Sequence, residues 1–133
     1  MTTIWHLAEP EYWQAAQESG WYDRSTRGAT LDQVGFVHCS SPDQLARVAE
    51  AGYADVSGDL LVLEVDRAGL DRAGSPVRYE PGDPDDPASE LFPHVYGPIP
   101  VTAVVRMIPA RIDRGRLHLA PAGSGESAGP VAG

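Results

Sequence analysis

The chain has a single cysteine, Cys39. One thiol closes no internal disulfide and builds no cysteine-rich zinc site. Positive charge is scarce as well. Lys and Arg total 10 against 19 Asp and Glu, for a formal net charge of -9 and a pI near 4.7. That balance excludes duplex nucleic acid as a partner, because such a binder needs basic patches to displace counterions. A small anionic ligand is still admitted, since a local site can oppose the global charge. Long apolar runs are missing too. No stretch approaches the roughly 20 residues of a bilayer span. "MTTIWHLAEP" lacks the basic start and apolar run of a signal peptide. The expectation is a cytoplasmic protein with no membrane association.

The 133 residues, 42% of them hydrophobic, suffice for one core. A single domain is expected over residues 2–120. The tail from Pro121, "PAGSGESAGPVAG", is low in complexity and expected to be disordered over residues 121–133. "TIWHLA" reads as a strand, with Ile4 and His6 on one face and Trp5 and Leu7 on the other. "EPEYWQAAQESG" reads as a helix, opened by Pro10, closed by Gly20, with Trp13 and Ala16 inward. "WYDRSTRGATLDQV" reads as one long polar loop, a length often tied to function.

"GFVHCS" reads as a second strand. Alternation gives Phe36, His38 and Ser40 one face, and Val37 and Cys39 the other. Ser41 then caps a helix that runs to about Ala51, with Pro42 in its first turn and Gln44 completing a capping box. "LLVLEVD" is apolar without alternation, as a strand buried on both faces would be. "RAGLDRAGSP" reads as a turn-rich connection. "VRYE" is a short strand with Val77 and Tyr79 facing one way and Arg78 and Glu80 the other, a face that reads either as solvated or as part of a site. "PGDPDDPASE" is an acidic, proline-broken loop; its Asp83, Asp85 and Asp86 lack the spacing of a calcium loop. "FPHVYGPIP" leads into the strand "VTAVVRMI" and a last hairpin in "RIDRGRLHLA". The order predicts an α+β fold, with two main helices on a small mixed or split sheet.

Three of the four histidines, His6, His38 and His94, lie in apolar surroundings; His118, near the tail, carries little weight. Singly, each reads as a core-edge histidine satisfied by backbone. Together they suggest a polar cluster lining a pocket. Three imidazoles can hold zinc, but the spacing matches no local motif, so no metal is expected. Cys39 points away from His38 and cannot be activated by it. Ser40 shares the His38 face at roughly 6.6 Å of strand rise. That suits a shared ligand better than a nucleophile and base in contact. The helix N-terminus after Ser41 offers N–H groups to a phosphate or ribose, or Ser41 is simply its cap. Arg24 and Arg27, in the long loop, are candidates to answer an anion.

"IWHLAEPEYWQAAQESG", "GFVHCSSPDQLARVA", "LLVLEVDRAGL", "VRYE" and "LFPHVYGPIPVTAVV" fall in an order that resembles the domain of unknown function 952 family, over about residues 3 to 108. That family resembles in turn the ADP-ribosyltransferase-like superfamily, whose split sheet holds NAD in a cleft. The likeness is clearest to the RNA 2'-phosphotransferases. His6 in "IWHLA" matches the first-strand histidine, which there bonds the nicotinamide ribose. His38 with Ser40 in "FVHCSS" matches the second strand, which shapes the nicotinamide pocket. The first strand here lacks the family's glycine and threonine, and the phosphate-holding arginines have no match. Where related transferases use a third-strand glutamate, this chain offers His94 and Tyr96, with Glu80 as substitute. The resemblance thus implies an ADP-ribosyltransferase-like fold and a nucleotide-like ligand, NAD as substrate or bound molecule. It also implies catalytic roles for His6, His38, His94 and Glu80, and ligand contacts from His6, His38, Ser40, Ser41 and Tyr96. Two alternatives stand beside it: a non-catalytic small-molecule binding module, and an interaction domain with structural histidines.

Overall fold

The computed structural model describes residues 1–120. The tail expected to be disordered, 121–133, lies outside the described residues. Strand β1 (Thr3–Ala8) leads into helix α1 (Pro10–Ser19). Pro10 takes the first helical turn, where its missing N–H costs no helical bond. Gly20 ends the helix at φ 92°, a left-handed conformation open to glycine. Trp13 and Ala16 are its buried residues.

The long loop expected next contains two short elements, strand β2 (Trp21–Tyr22) and helix α2 (Leu31–Val34). A two-residue strand has no period, and a one-turn helix has no apolar stripe, so neither shows in the sequence pattern. Helix α2 depends on its cap. Thr30 Oγ1 accepts from Gln33 N–H at 3.2 Å, and Gln33 Oε1 accepts from Thr30 N–H at 2.9 Å.

Strand β3 (Val37–His38) is shorter than expected, and helix α3 (Pro42–Gly52) follows it. The chain beyond β3 stays extended and changes partners. Cys39 N–H donates to Pro93 C=O at 3.0 Å, whereas Ser40 exchanges two backbone bonds of 2.8 Å with Trp5 of β1. Ser41 is the N-cap of α3, and Gln44 Oε1 accepts from its N–H at 3.0 Å.

Strand β4 (Leu60–Asp66) is central. Leu60 and Val62 enter one core cluster with Leu7, Leu45, Ala49 and Tyr53. Leu63 and Val65 enter another with Ile4, Trp13, Tyr22, Val37, Cys39 and Val95. Burial on both faces removes the need for alternation. The supposed turn-rich connection is helix α4 (Arg67–Arg72), capped by Asp66, whose Oδ1 accepts from Ala68 N–H at 3.2 Å. Gly69 looked like a turn residue. It lies inside this helix because a Cβ there would stand 3.0 Å from Ala103 Cβ.

Strands β5 (Val77–Pro81), β6 (Leu91–Val95), β7 (Ile99–Pro100), β8 (Val104–Asp113) and β9 (Arg116–Leu119) complete the fold, with a 3-10 turn at Val101–Ala103. They pair as β1-β4-β8-β9, β3-β6-β5 and β2-β7, and every ladder is antiparallel. Among the described residues the fold is α+β and the sheet is split, but it is not mixed. Short connections such as those of β5-β6 and β8-β9 join antiparallel strands, while a parallel pair needs a long crossover. Four helices accompany the strands among the described residues, two of them long. No helix among the described residues is long and apolar enough to cross a membrane.

Cys39 is fully buried on the core face, and burial raises its thiol pKa well above the ordinary value. A thiol held neutral and covered is a poor nucleophile. The native protein should resist labelling by a bulky maleimide under conditions that label the unfolded chain completely. Cys39→Ala should cost about 1–2 kcal/mol of stability. Rapid labelling of the folded protein would contradict this placement.

Candidate functional site

The alternation of β3, β6 and β5 sorts their side chains between two faces. Val37, Cys39 and Val95 go to the core and are fully buried. The opposite face takes Phe36 and His38, then Phe92, His94 and Tyr96, then Arg78 and Glu80. Register places His38 opposite His94, His94 opposite Arg78, and Glu80 opposite Phe92.

Four of these side chains form a hydrogen-bonded chain. Glu80 Oε1 accepts from Tyr96 O–H at 2.6 Å and from His94 Nδ1–H at 2.8 Å. His94 Nε2 meets His38 Nδ1 at 3.3 Å. Bonds from Tyr96 and His94 hold the Glu80 carboxyl below the usual carboxylate range, and Glu80 raises the Tyr96 phenol in return. Glu80 therefore turns its carboxylate to the site while its side chain stays 34% exposed. Phe36 stacks flat on the His94 ring, with centroids 3.9 Å apart and planes 13° apart. Phe92 tilts against His38 at 5.3 Å. The Arg78 guanidinium lies 4.8 Å above the Tyr96 ring.

His38 stands where this chain meets an open cleft of about 570 Å³. That size suits a small ligand. Phe36, His38 and Phe92 line it from the sheet, Ser25, Thr26 and Val34 from the segment around α2, and Val48, Ala51 and Tyr53 from α3 and its end. The acidic loop closes the last side with Gly82, Asp83, Ser89 and Glu90. Among the described residues, the charged ones lining the cleft are both acidic, Asp83 and Glu90. Arg47 holds Glu90 through bonds of 2.6 and 3.0 Å, and Gln44 adds one of 3.0 Å to Glu90 and one of 2.8 Å to Leu91 C=O. The loop is thereby tied to α3, and these partners bring the Glu90 pKa down to about 2.

Burial and the neighbouring His94 drive the His38 pKa down to about 4, so its ring is neutral at pH 7. Its backbone N–H donates to Ser25 Oγ at 3.2 Å. Its Nε2 has no hydrogen-bond partner among the described residues and is not sealed from solvent. One imidazole nitrogen is thus available at the edge of an apolar cleft.

His6 is placed differently. It is buried behind the His38 backbone with both nitrogens engaged: Nδ1–H donates to His38 C=O at 2.7 Å, and Nε2 accepts from Tyr22 O–H at 2.9 Å. The carbonyl has no proton to give, so these two bonds define a neutral Nδ1–H tautomer. Burial brings the His6 pKa down to about 4 and raises the Tyr22 phenol far above its ordinary value. Ser40 is buried and borders, with His6 and His38, a void of about 10 Å³. That is room for about one water and no ligand. Ser41 is engaged as the α3 cap.

The structure thus joins His38, His94, Glu80 and Tyr96, and it puts His6, Ser40 and Ser41 behind or beside them. The loop arginines are committed elsewhere. Arg24 donates to Gly28 C=O at 3.0 Å, and Arg27 pairs with Asp55 at 2.8 Å. Among the described residues no group of three or more His, Cys, Asp or Glu is placed to hold a metal ion. Sequence reasoning omitted Phe36 and Phe92, although each stands two residues from a histidine already chosen. Strand alternation alone carried that signal. It also omitted Tyr22, which no local pattern links to His6.

Fold and site together define a small α+β domain with a polar relay beneath an apolar cleft. The chain belongs to the family described as Protein of unknown function (DUF952), whose model matches residues 7–107. That span holds His38, Glu80, His94 and Tyr96; His6 falls just outside it. The fold is similar to that of protein CC0527 from Caulobacter crescentus. Its crystal structure gives a TM-score of 0.70 at 24% identity, covering 88% of this chain and 94% of that one. A crystal structure of a CC0527 double mutant gives the same values, and the CC0527 solution structure gives 0.64 with 91% of that chain covered. At this identity the likeness is one of fold. No curated protein matches the chain.

Proposed function

We propose that the cleft binds a small, planar heteroaromatic ligand of nucleotide type. The nicotinamide end of NAD is the member of that class which the resemblance to ADP-ribosyltransferases suggests. One observation carries this reading: a cleft of about 570 Å³ with an aromatic floor and, on His38 at its edge, an imidazole nitrogen without a partner among the described residues. Phe36 and Phe92 offer apolar surface to a ring, and His38 offers it one directional contact. The charge of the lining agrees with a ring that is neutral or positive, as oxidised nicotinamide is. Asp83 favours such a ring, Glu90 is already paired with Arg47, and among the described residues no lining arginine calls a phosphate inside. The pyrophosphate of a dinucleotide would extend into solvent.

Transfer of ADP-ribose is a second reading, favoured by the linkage of a carboxylate to two imidazoles. Cleavage of NAD passes through an oxocarbenium-like ribose, which a preorganised carboxylate stabilises. In this reading Glu80 acts from behind His94, because its Oε1 is already shared by His94 and Tyr96.

Calorimetric titration with NAD, nicotinamide mononucleotide and ADP-ribose tests both. The first two should bind, and ADP-ribose should bind at least about tenfold more weakly because it carries adenine but lacks the nicotinamide ring. Release of nicotinamide would add the second reading to the first. Absence of heat with all three at about 1 mM would overturn the proposal, and a preference for ADP-ribose would overturn the choice of nicotinamide within it.

A further inference from the structure

We infer that Glu80 and His94 lock the proton of His38 on Nδ1, so that His38 Nε2 faces the cleft as a hydrogen-bond acceptor and selects ligands that present an N–H or O–H donor. The second half of this inference rests on the binding reading above; the first half does not.

The direction of the chain follows from its end. A carboxylate only accepts. Glu80 Oε1 receives Tyr96 O–H at 2.6 Å and His94 at 2.8 Å, so the His94 proton is on Nδ1. A neutral imidazole then has its lone pair on Nε2. That atom faces His38 Nδ1 at 3.3 Å. Two lone pairs do not bond, so His38 must supply the proton. Its own lone pair is left on Nε2, the nitrogen without a partner among the described residues. Each proton is placed by the bond before it, as second-shell partners set the tautomer of a metal-bound histidine.

One rival arrangement exists. A second proton on His94 would reverse the chain. His94 Nε2–H would donate to His38 Nδ1, and His38 Nε2 would become a donor. His94 is only 5% exposed and lies under the Phe36 ring, and imidazole nitrogen shifts tell the two arrangements apart, because the rival puts a proton on both His94 nitrogens. In both arrangements Glu80 Oε1 accepts from Tyr96 and from His94 Nδ1–H. Glu80 and His94 act here as positioning residues, through His38.

The ligand-free protein tests the lock directly. Imidazole nitrogen chemical shifts of uniformly 15N-labelled protein at pH 7.5 should show His38 protonated on Nδ1 and bare on Nε2. His94 should show the same pattern. Glu80→Gln should leave the fold intact and mix the tautomers of both rings, because an amide can accept or donate. A proton on His38 Nε2 in the wild type, or unchanged tautomers in the variant, would overturn the lock. The selectivity is then read with nicotinamide and methyl nicotinate, which differ in carrying or lacking an N–H donor. The wild type should prefer nicotinamide by at least about tenfold, and Glu80→Gln should lose most of that preference. A lone pair on Nε2 with equal affinities would overturn the selectivity. A lone pair on Nε2 with no binding of either compound would uphold the lock and overturn the binding reading instead.

Discussion

Acidification from pH 7.5 to 5 is expected to lower the unfolding free energy by about 2 kcal/mol through His6 alone. The sign follows from proton counts. His6 titrates near its ordinary 6.5 in the unfolded chain and at about 4 in the fold. Between those values the unfolded chain holds a proton that the native state refuses. Stability is therefore complete above pH 6.5 and lost as pH falls toward 4. The full displacement corresponds to about 3 kcal/mol, using about 1.4 kcal/mol per pKa unit. His38, also lowered to about 4, adds a smaller loss in the same window, because it borders the open cleft. Glu80 and Glu90 act lower. Both carboxyls are depressed below their ordinary 4.5, so their contribution fades only below that pH. Urea denaturation at half-unit pH steps would resolve the histidine loss. A stability flat from pH 7.5 to 5 would mean that His6 takes up its proton without leaving its bonds to His38 and Tyr22.

His6→Ala and His38→Ala should fail in opposite ways. His6 joins three strands: it sits on β1 and bonds Tyr22 of β2 and the carbonyl of His38 on β3. Its removal strands a buried phenol and a buried carbonyl and opens a cavity. The cost should be about 3–5 kcal/mol, a large share of the stability of a domain this size. Among the described residues His38 has one side-chain bond, of 3.3 Å, and a nitrogen without a partner, and the residue lines the cleft. His38→Ala should keep the fold within about 1–2 kcal/mol and weaken nicotinamide mononucleotide by roughly ten- to a hundredfold. Melting temperature and calorimetric affinity, measured for both variants, separate the roles. A His6 variant as stable as wild type, or a His38 variant that binds as well, would contradict the assignment.

Alternation made the sheet face legible before any coordinates. It put Phe36 with His38 and Arg78 with Glu80, and it set Val37 and Cys39 against them. The same logic found β4, where burial of Leu63 and Val65 on one side and Leu60 and Val62 on the other erases the period. Punctuation residues located the ends of α1 and α3. What stayed hidden depends on contacts distant in sequence. Nothing near Glu80 says that it meets His94, because their pairing is set by the β5-β6 ladder and by the length of the acidic loop between. Nothing near His6 says that Tyr22 answers it. His6 was grouped with His38 because both stand among apolar residues, and that setting is shared by a cleft-lining imidazole and a saturated one. Only the partners of each nitrogen tell them apart.

The central claim is that the cleft beside His38 is a binding site for a heteroaromatic ring. Amide and aromatic chemical-shift mapping with nicotinamide mononucleotide tests it most directly. The account predicts shifts concentrated at Ser25, Phe36, His38, Tyr53 and Phe92, saturating together, with the core around Leu63 and the far sheet around Ala110 unmoved. Shifts centred on any other surface, or none at a ligand concentration of about 5 mM, would contradict it.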